Sequence, residues 1–329
     1  MIKKKLKISF VGFGKFAQVR KRYLLNLPYV ELVGFYDPFQ ECIHDISKID
    51  SLDNLLEISD AVIISVPPKL APAYVCKALE KGKKVFCEKP AAVSVEDLKI
   101  IERYLTDSSL LAYGFNHRQH PSIEKIKETI EVGTLGKILW MRGRYGKEVN
   151  QDYIKDWRCN IELNGGGILI DQGIHMVDLM SYLSNGFDGA QAVMSNNYLG
   201  IEGVDDNGFI TLYSTVSKIT ASIHSTVTQW RYLFSLEIFL EKGSIILNGL
   251  RTNSGNYGEE ILTIKPNLKY DAEIETIEIK YPENVSWEKE MMAFAESALI
   301  DNPYPYANYK DALRTTKLID LIYKEAIWI

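Results

Sequence analysis

Three groups of residues could do chemistry by type and spacing. The first is Gly12, Gly14 and Ala17, a G-x-G-x-x-A run inside "ISFVGFGKFAQVR". Glycine weakens regular structure, so two glycines closing an apolar run need a reason. One reason is a phosphate. The first glycine permits a tight bend, the second lets a pyrophosphate approach the main chain, and the small third residue lets helix and strand pack closely. The following helix N-terminus offers N–H groups and positive dipole. A tight turn without a ligand is the alternative. Asp37 favours the ligand: it ends the second apolar run, 37 − 17 = 20 residues after Ala17, where an acid hydrogen-bonds the adenosine ribose of a dinucleotide. A carboxylate there repels a 2′-phosphate, and Pro38 and Phe39 follow it, so NAD is favoured over NADP.

The second group centres on Lys89, two residues past the apolar run ending at Cys87. Ligands bind beyond the carboxyl ends of parallel strands, where an ammonium can polarise a carbonyl or hold a developing alkoxide. A solvated turn lysine is the other reading. Glu88 would orient Lys89 or contact the cofactor ribose. The third group is Asp171 and His175, four apart at the start of a helical stretch and so on one face. Imidazole is the natural proton carrier at neutral pH. His175 therefore reads as the general base toward a substrate hydroxyl, and Asp171 as a hydroxyl ligand or an orienting group. A helix capped by Asp171 with His175 packed inside is the plain alternative.

Other residues carry less. Trp157 and Arg158 precede the glycines Gly165 to Gly167; Arg158 could clamp an anion bidentately, or stack on Trp157 and pair with Asp156. The three glycines leave room for a ligand or form a flexible loop. Pro67 and Pro68 follow "AVIISV" and either wall the adenine and ribose or form a rigid loop. Arg142, Arg144, Tyr145 and Lys147 share one predicted strand and read as a solvated sheet face more readily than as a nucleotide-diphosphate site. His44 and His224 read as structural or exposed.

The elements that must position these groups alternate at first. "KISFV", "VELVGFY", "AVIISV", "KVFC" and "LLAYGF" are apolar runs separated by helical stretches, the pattern of a parallel sheet covered on both faces. Counted as a six-stranded unit, "CEKPAA" follows the fifth strand and "FNHRQHP" the sixth. Ser94 reads as a helix cap. Beyond Asn116, "KITASIHSTVT" alternates with period two, so an antiparallel sheet with one covered face is expected. "FSLEIFLEKGSIILNG" reads as two strands around a tight turn. Ala312, Thr316, Ile319, Tyr323 and Ala326 form one helical stripe.

The 329 residues, 46% hydrophobic and 25% charged, suit a two-domain globular chain. A net charge of −5 argues against nucleic acid or an anionic membrane as the main partner, despite Lys3 to Lys5. No segment approaches the roughly 20 apolar residues of a spanning helix. Cys42, Cys76, Cys87 and Cys159 are too scattered for a disulfide framework or a zinc site. A cytoplasmic protein without a metal is expected.

A dinucleotide fingerprint, then "EKP", then "NGGGILIDQGIHMVDLM", together with "YGFNHRQHP" and "DWR", resembles the glucose–fructose oxidoreductase / inositol dehydrogenase / rhizopine catabolism (Gfo/Idh/MocA) family over nearly the whole chain. The resemblance implies an α/β fold: a Rossmann doubly wound domain over 1–115, on which a C-terminal helix at 308–329 packs, and an α+β substrate and oligomerisation domain over 116–307 built on an open, mostly antiparallel sheet. It implies Lys89, Asp171 and His175 as catalytic residues and a cis Lys89–Pro90 peptide. It places Gly12, Phe13, Gly14, Lys15, Phe16, Ala17, Asp37, Ser65, Pro67, Glu88, Lys89 and Asn116 at NAD. The substrate falls to Lys89, Asn116, His117, Trp157, Arg158, Asp171 and His175, with Arg118 and His120 structural. The implied activity is NAD(P)-dependent oxidation or reduction of a carbon bearing a hydroxyl in a sugar, sugar nucleotide or cyclitol, in a homodimer or homotetramer paired through the sheet. A redox-neutral glycosidase or epimerase using NAD transiently, and a non-catalytic NAD-binding regulator, are the alternatives; the regulator should lack one of Lys89, Asp171 and His175, and all three are present.

Overall fold

The computed structural model describes residues 5–40, 46–106, 110–252, 257–267 and 275–329. Cys42, His44, Lys3 and Lys4 lie outside the described residues. The chain divides into two compact units, residues 1–116 with 286–316, and residues 117–285 with 317–329.

The first unit carries β1 (Leu6–Val11), β2 (Val30–Tyr36), β3 (Ala61–Ile64), β4 (Lys84–Cys87) and β5 (Leu111–Tyr113), in the parallel order β2-β1-β3-β4-β5. Every residue of β3 and all but the first of β4 are buried, which is why these runs are continuously apolar instead of alternating. The sheet has five strands, so "EKP" follows β4 and Asn116 follows β5, one fewer in each case than the six-strand count. Order reverses between β1 and β3, the switch point at which such sheets bind ligands. The helices begin as their sequences dictate. Ser94 accepts from the Asp97 N–H at 3.1 Å, while the helix Lys15–Leu25 starts at Gly14 with no side-chain cap.

One segment corrects the expected bounds. The helix Ser286–Ile300 falls within 116–307, yet it belongs to the first unit. Met291, Phe294, Ala295 and Ala298 join the core of Phe10, Phe13 and Phe86, and Trp287 stacks on Phe16 with centroids 5.8 Å apart. An apolar helical stripe announces that it must be covered, not by what.

The second unit holds β6 (Ile138–Gly146), β7 (Gly189–Ser195), β8 (Asn207–Tyr213), β9 (Thr220–Thr226), β10 (Leu233–Leu240), β11 (Gly243–Asn248), β12 (Glu260–Pro266), β13 (Ile277–Tyr281) and β14 (Ala326–Trp328). They form one sheet in the order β13-β12-β11-β10-β6-β9-β8-β7-β14. It is mostly antiparallel, with β6–β9 and β7–β14 parallel. Ala221 and Ile223 of β9 face inward while Thr220 and Ser222 face out, as their alternation requires. The terminal helix Tyr309–Lys324 does not return wholly to the first unit. From residue 317 it belongs to the second, where the Tyr323 hydroxyl donates to Asp205 at 2.7 Å and β14 extends the sheet edge.

Candidate functional site

In the first unit the glycine turn closes β1 at the switch point. Gly12 has φ +78°, and a Cβ there would stand 2.5 Å from the Ser65 carbonyl oxygen, so side chains are excluded twice over. At Gly14 a Cβ would meet nothing within 4 Å. That space is open, directly before an uncapped helix start, where an anion is favoured. Ala17 is fully buried beneath it. Phe13 turns its ring into the core, stacked on Phe35 at 4.4 Å, and presents its backbone. Lys15 is exposed and Phe16 half-buried.

Asp37 is fixed by the same turn. Its Oδ2 accepts from the Phe13 N–H at 2.8 Å and its Oδ1 from Phe39 and Gln40 at 2.9 and 3.2 Å. A carboxylate has about four acceptor sites, so Oδ2 retains capacity for one ribose hydroxyl. Ser65 and Pro67 are half-buried just past β3. The residues fit an adenine dinucleotide.

Lys89 is half-buried beyond β4, and the Lys89–Pro90 peptide is cis. Glu88 faces inward and accepts from Arg20 Nε at 2.5 Å, rather than projecting toward solvent. Arg20 is fully buried, lies over Phe86 and Trp287 at 4.1 and 4.7 Å, and also donates to Glu290 at 2.7 Å. Burial pushes the Glu290 carboxyl up to about 7, with Arg20 opposing. Burial works against the Arg20 charge, but the two carboxylates outweigh it and hold the guanidinium protonated. Sequence reasoning missed this triad. Its one local signal is an arginine on the buried stripe Ala17, Arg20, Lys21 and Leu24. Asn116 is buried and donates from Nδ2 to Ser286 at 3.1 Å.

The second unit gathers Asp171, His175, His117, Arg158 and Trp157. Asp171 sits in a π-helical turn, Leu169–Gly173, that feeds the helix Ile174–Ser184; widened turns of this kind recur at functional sites. Its Oδ2 accepts from Lys147 Nζ at 3.2 Å, and Arg158 Nε lies 3.4 Å from Oδ1. Arg158 also takes both plain alternatives expected of it, pairing with Asp156 at 3.0 Å and lying over Trp157 at 4.4 Å. His175 is buried, and its ring stacks on His117 with centroids 3.8 Å apart and planes 15° apart. His117 Nε2 is 3.0 Å from the Tyr145 hydroxyl. Around them Lys147 bonds the Tyr153 hydroxyl at 3.2 Å and Gln172 donates to Tyr257 at 2.7 Å. Burial first, then neighbouring Tyr257 and Asp171, keep the Tyr145 phenol protonated.

The strand that sequence reasoning gave to solvent is therefore split. Arg142 and Arg144 are exposed, Arg142 pairing with Glu237 at 2.6 Å, but Tyr145 is buried and Lys147 reaches Asp171. Parity was the available signal: Tyr145 and Lys147 align with buried Met141 and Gly143. His224 is half-buried on Phe209 at 4.1 Å. Arg118 forks onto Asp178 at 2.8 and 2.5 Å, and His120 Nδ1 meets Glu260 at 3.0 Å.

Gly165 to Gly167 hold no open room at their two tighter positions. A Cβ at Gly167 would overlap the Asp205 backbone, and one at Gly166 the Tyr323 hydroxyl. Asp205 accepts from the Gly167 and Leu169 N–H groups at 2.7 and 2.8 Å. Among the described residues no group of three or more His, Cys, Asp or Glu side chains could hold a metal ion, and no helix is long and apolar enough to cross a membrane.

Known proteins match both units. Residues 6–115 match the family described as an oxidoreductase family with an NAD-binding Rossmann fold, and residues 123–246 match the GFO/IDH/MocA C-terminal domain. A glucose-6-phosphate 3-dehydrogenase of Bacillus subtilis is 31% identical over 186 residues, 54% of this chain and 53% of that protein; the chain thus spans about half the length of this curated relative. A levoglucosan dehydrogenase solved with NADH superposes with a TM-score of 0.84 at 19% identity, covering 98% of this chain and 97% of that one. A 3-ketoreductase from Actinomadura kijaniata solved with NADP gives 0.81 at 18% identity, covering 99% of each. Such likeness shows a shared fold.

Proposed function

Because the chain belongs to the Gfo/Idh/MocA oxidoreductase family, we propose that it is an NAD-dependent dehydrogenase or reductase acting on a carbon bearing a hydroxyl in a sugar, sugar nucleotide or cyclitol. The observation that carries the reading is the open space at Gly14, before an uncapped helix and beside the oriented carboxylate of Asp37. The dehydrogenase names of the matched relative and the NADH-bound neighbour support the same class.

In this reading the backbone of Gly12 to Ala17 holds the pyrophosphate and Asp37 takes a ribose hydroxyl, which favours NAD over NADP. Ser65, Pro67, Glu88 and Asn116 complete the cofactor set. When bound, NAD supplies an acceptor for the hydride that leaves the substrate carbon with two electrons. His175 receives the hydroxyl proton on an imidazole nitrogen, leaving a carbonyl. Lys89 stabilises the oxygen as it becomes an alkoxide, a preorganised charge of the kind that dominates such barriers. Asp171, already held by Lys147 and Arg158, accepts from a neighbouring substrate hydroxyl. His117 and Trp157 shape the sugar site. The outer face of the nine-stranded sheet, with Trp140, Phe209 and Tyr213 exposed, serves pairing with further copies of the chain in a homodimer or homotetramer.

The test is NADH accumulation with NAD and a panel of sugars, cyclitols and nucleotide sugars. Wild-type protein should accumulate NADH with one class, while Lys89→Ala and His175→Ala abolish turnover and still bind NAD. Turnover without net NADH would move the assignment to the redox-neutral glycosidase or epimerase. Binding without turnover on any class would leave a regulator.

A further inference from the structure

We infer that His117 and His175 act as one titrating unit, sharing a single proton, and that His117 is the positioning residue keeping an imidazole neutral and available as base below the usual histidine range. This deepens the proposed reading and rests on His175 as its base.

Two imidazoles stacked face to face at 3.8 Å and 15°, both buried, tolerate one positive charge between them. A second would place like charges at contact distance where water cannot screen them. Groups coupled this strongly release protons in two macroscopic steps that belong to the pair. The stack is anchored on the His117 side, where Nε2 meets the Tyr145 hydroxyl at 3.0 Å and the ring packs edge-on toward His120 and tilted toward Phe234.

Among the described residues of the second unit, nearby charged and titratable groups also engage one another. From β6, Tyr145 remains a neutral phenol, and Lys147, just past the strand, pairs with Asp171. Asp171, one turn before His175, also holds Arg158. On the helix of His175, Asp178 is forked by Arg118. From β12, Glu260 takes His120 Nδ1, the Ser122 hydroxyl and the Arg251 N–H. Tyr257 faces Tyr145 at 5.1 Å and accepts from Gln172. The consequence for catalysis is a base whose neutral form persists toward lower pH than an isolated histidine, near 6.5, would allow.

The experiment is a pH titration of the imidazole nitrogens by two-dimensional ¹H–¹⁵N NMR on the full chain without cofactor. Wild-type signals of His117 and His175 should titrate in two steps separated by more than about 1 pH unit. In His117→Phe, which keeps a flat ring, the lower step should vanish and His175 should titrate once, between the two wild-type steps and at or just below the upper one. His175→Phe should do the same for His117. His117→Gln serves as a second variant if the larger ring disturbs folding. Two rings with independent midpoints, each unmoved by removal of the other, would overturn the inference. If the coupling is present while NAD-linked turnover is absent, the pair stands and the assignment of His175 as the redox base falls. If turnover is present, the acid limb of its pH profile should move up by the same interval in His117→Phe.

Discussion

Two glycine-rich turns, one in each unit, look alike in sequence and exist for opposite reasons. Gly12 to Gly14 in the first unit and Gly165 to Gly167 in the second each precede a helix, and each is pinned by an aspartate that accepts backbone N–H groups: Asp37 from Phe13, Asp205 from Gly167 and Leu169. At Gly14 the missing Cβ leaves space that no protein atom fills. At Gly166 and Gly167 the same absence is filled by Tyr323 and the Asp205 backbone. The aspartates differ accordingly. Asp37 is half-exposed, while Asp205 is fully buried. One turn leaves its space open, and the other fills it from its own unit. Glycine content alone does not say which.

The comparison can be broken most forcefully at Gly167. Gly167→Ala drives a methyl into backbone that cannot yield, so a loss of about 3 kcal/mol is expected, read as a lower midpoint in urea unfolding; a variant within experimental error of wild type would put the packing account of this turn in doubt. Next is Asp205→Asn, which turns one of the two accepting oxygens into an NH2 group facing a donor among Gly167, Leu169 and Tyr323 and should cost about 2 kcal/mol. Burial raises the Asp205 carboxyl above its ordinary value, with its hydrogen bonds opposing. The folded state therefore binds that proton more tightly than the unfolded chain. This contribution to stability is greatest below the ordinary carboxylate range and is lost as pH rises through the raised value. Unfolding titrations across acidic pH should show that decline in wild type, and Asp205→Asn should lack it. Asp37→Ala is the gentlest change to the fold, about 1 kcal/mol as for a lost cap, but calorimetry should show NAD affinity falling about tenfold, with NADP affected much less. Equal losses would remove the ribose contact from the reading.

How much of this the sequence revealed depends on how local each signal is. The glycine turn after β1 was legible because its glycines, Ala17 and Asp37 fall at spacings that one strand–helix–strand unit dictates. The alternation in β9 likewise exposed its sheet. Arg20 and Glu290 were not legible as a pair, because 270 residues separate them and only tertiary folding brings the helix Ser286–Ile300 under β4. The terminal helix was read as a stripe, correctly needing cover, but a stripe cannot announce that its last turn serves the other unit through Tyr323. Tyr145 and Lys147 were missed because a cluster of charges outweighed strand parity. Gly165 to Gly167 were read as ligand room or a flexible loop, since composition cannot reveal that Tyr323 and Asp205 fill the space at Gly166 and Gly167.

The central claim is that the opening beside Gly14 is held for a dinucleotide phosphate. Gly14→Ala tests it most directly, because φ at that residue is −74° and the new methyl meets no protein atom within 4 Å. Fluorescence titration of NADH should show wild-type protein binding and the variant losing at least about tenfold in affinity (1.4 kcal/mol), with an unchanged unfolding midpoint. A folded Gly14→Ala protein that binds NADH as tightly as wild type would contradict the account.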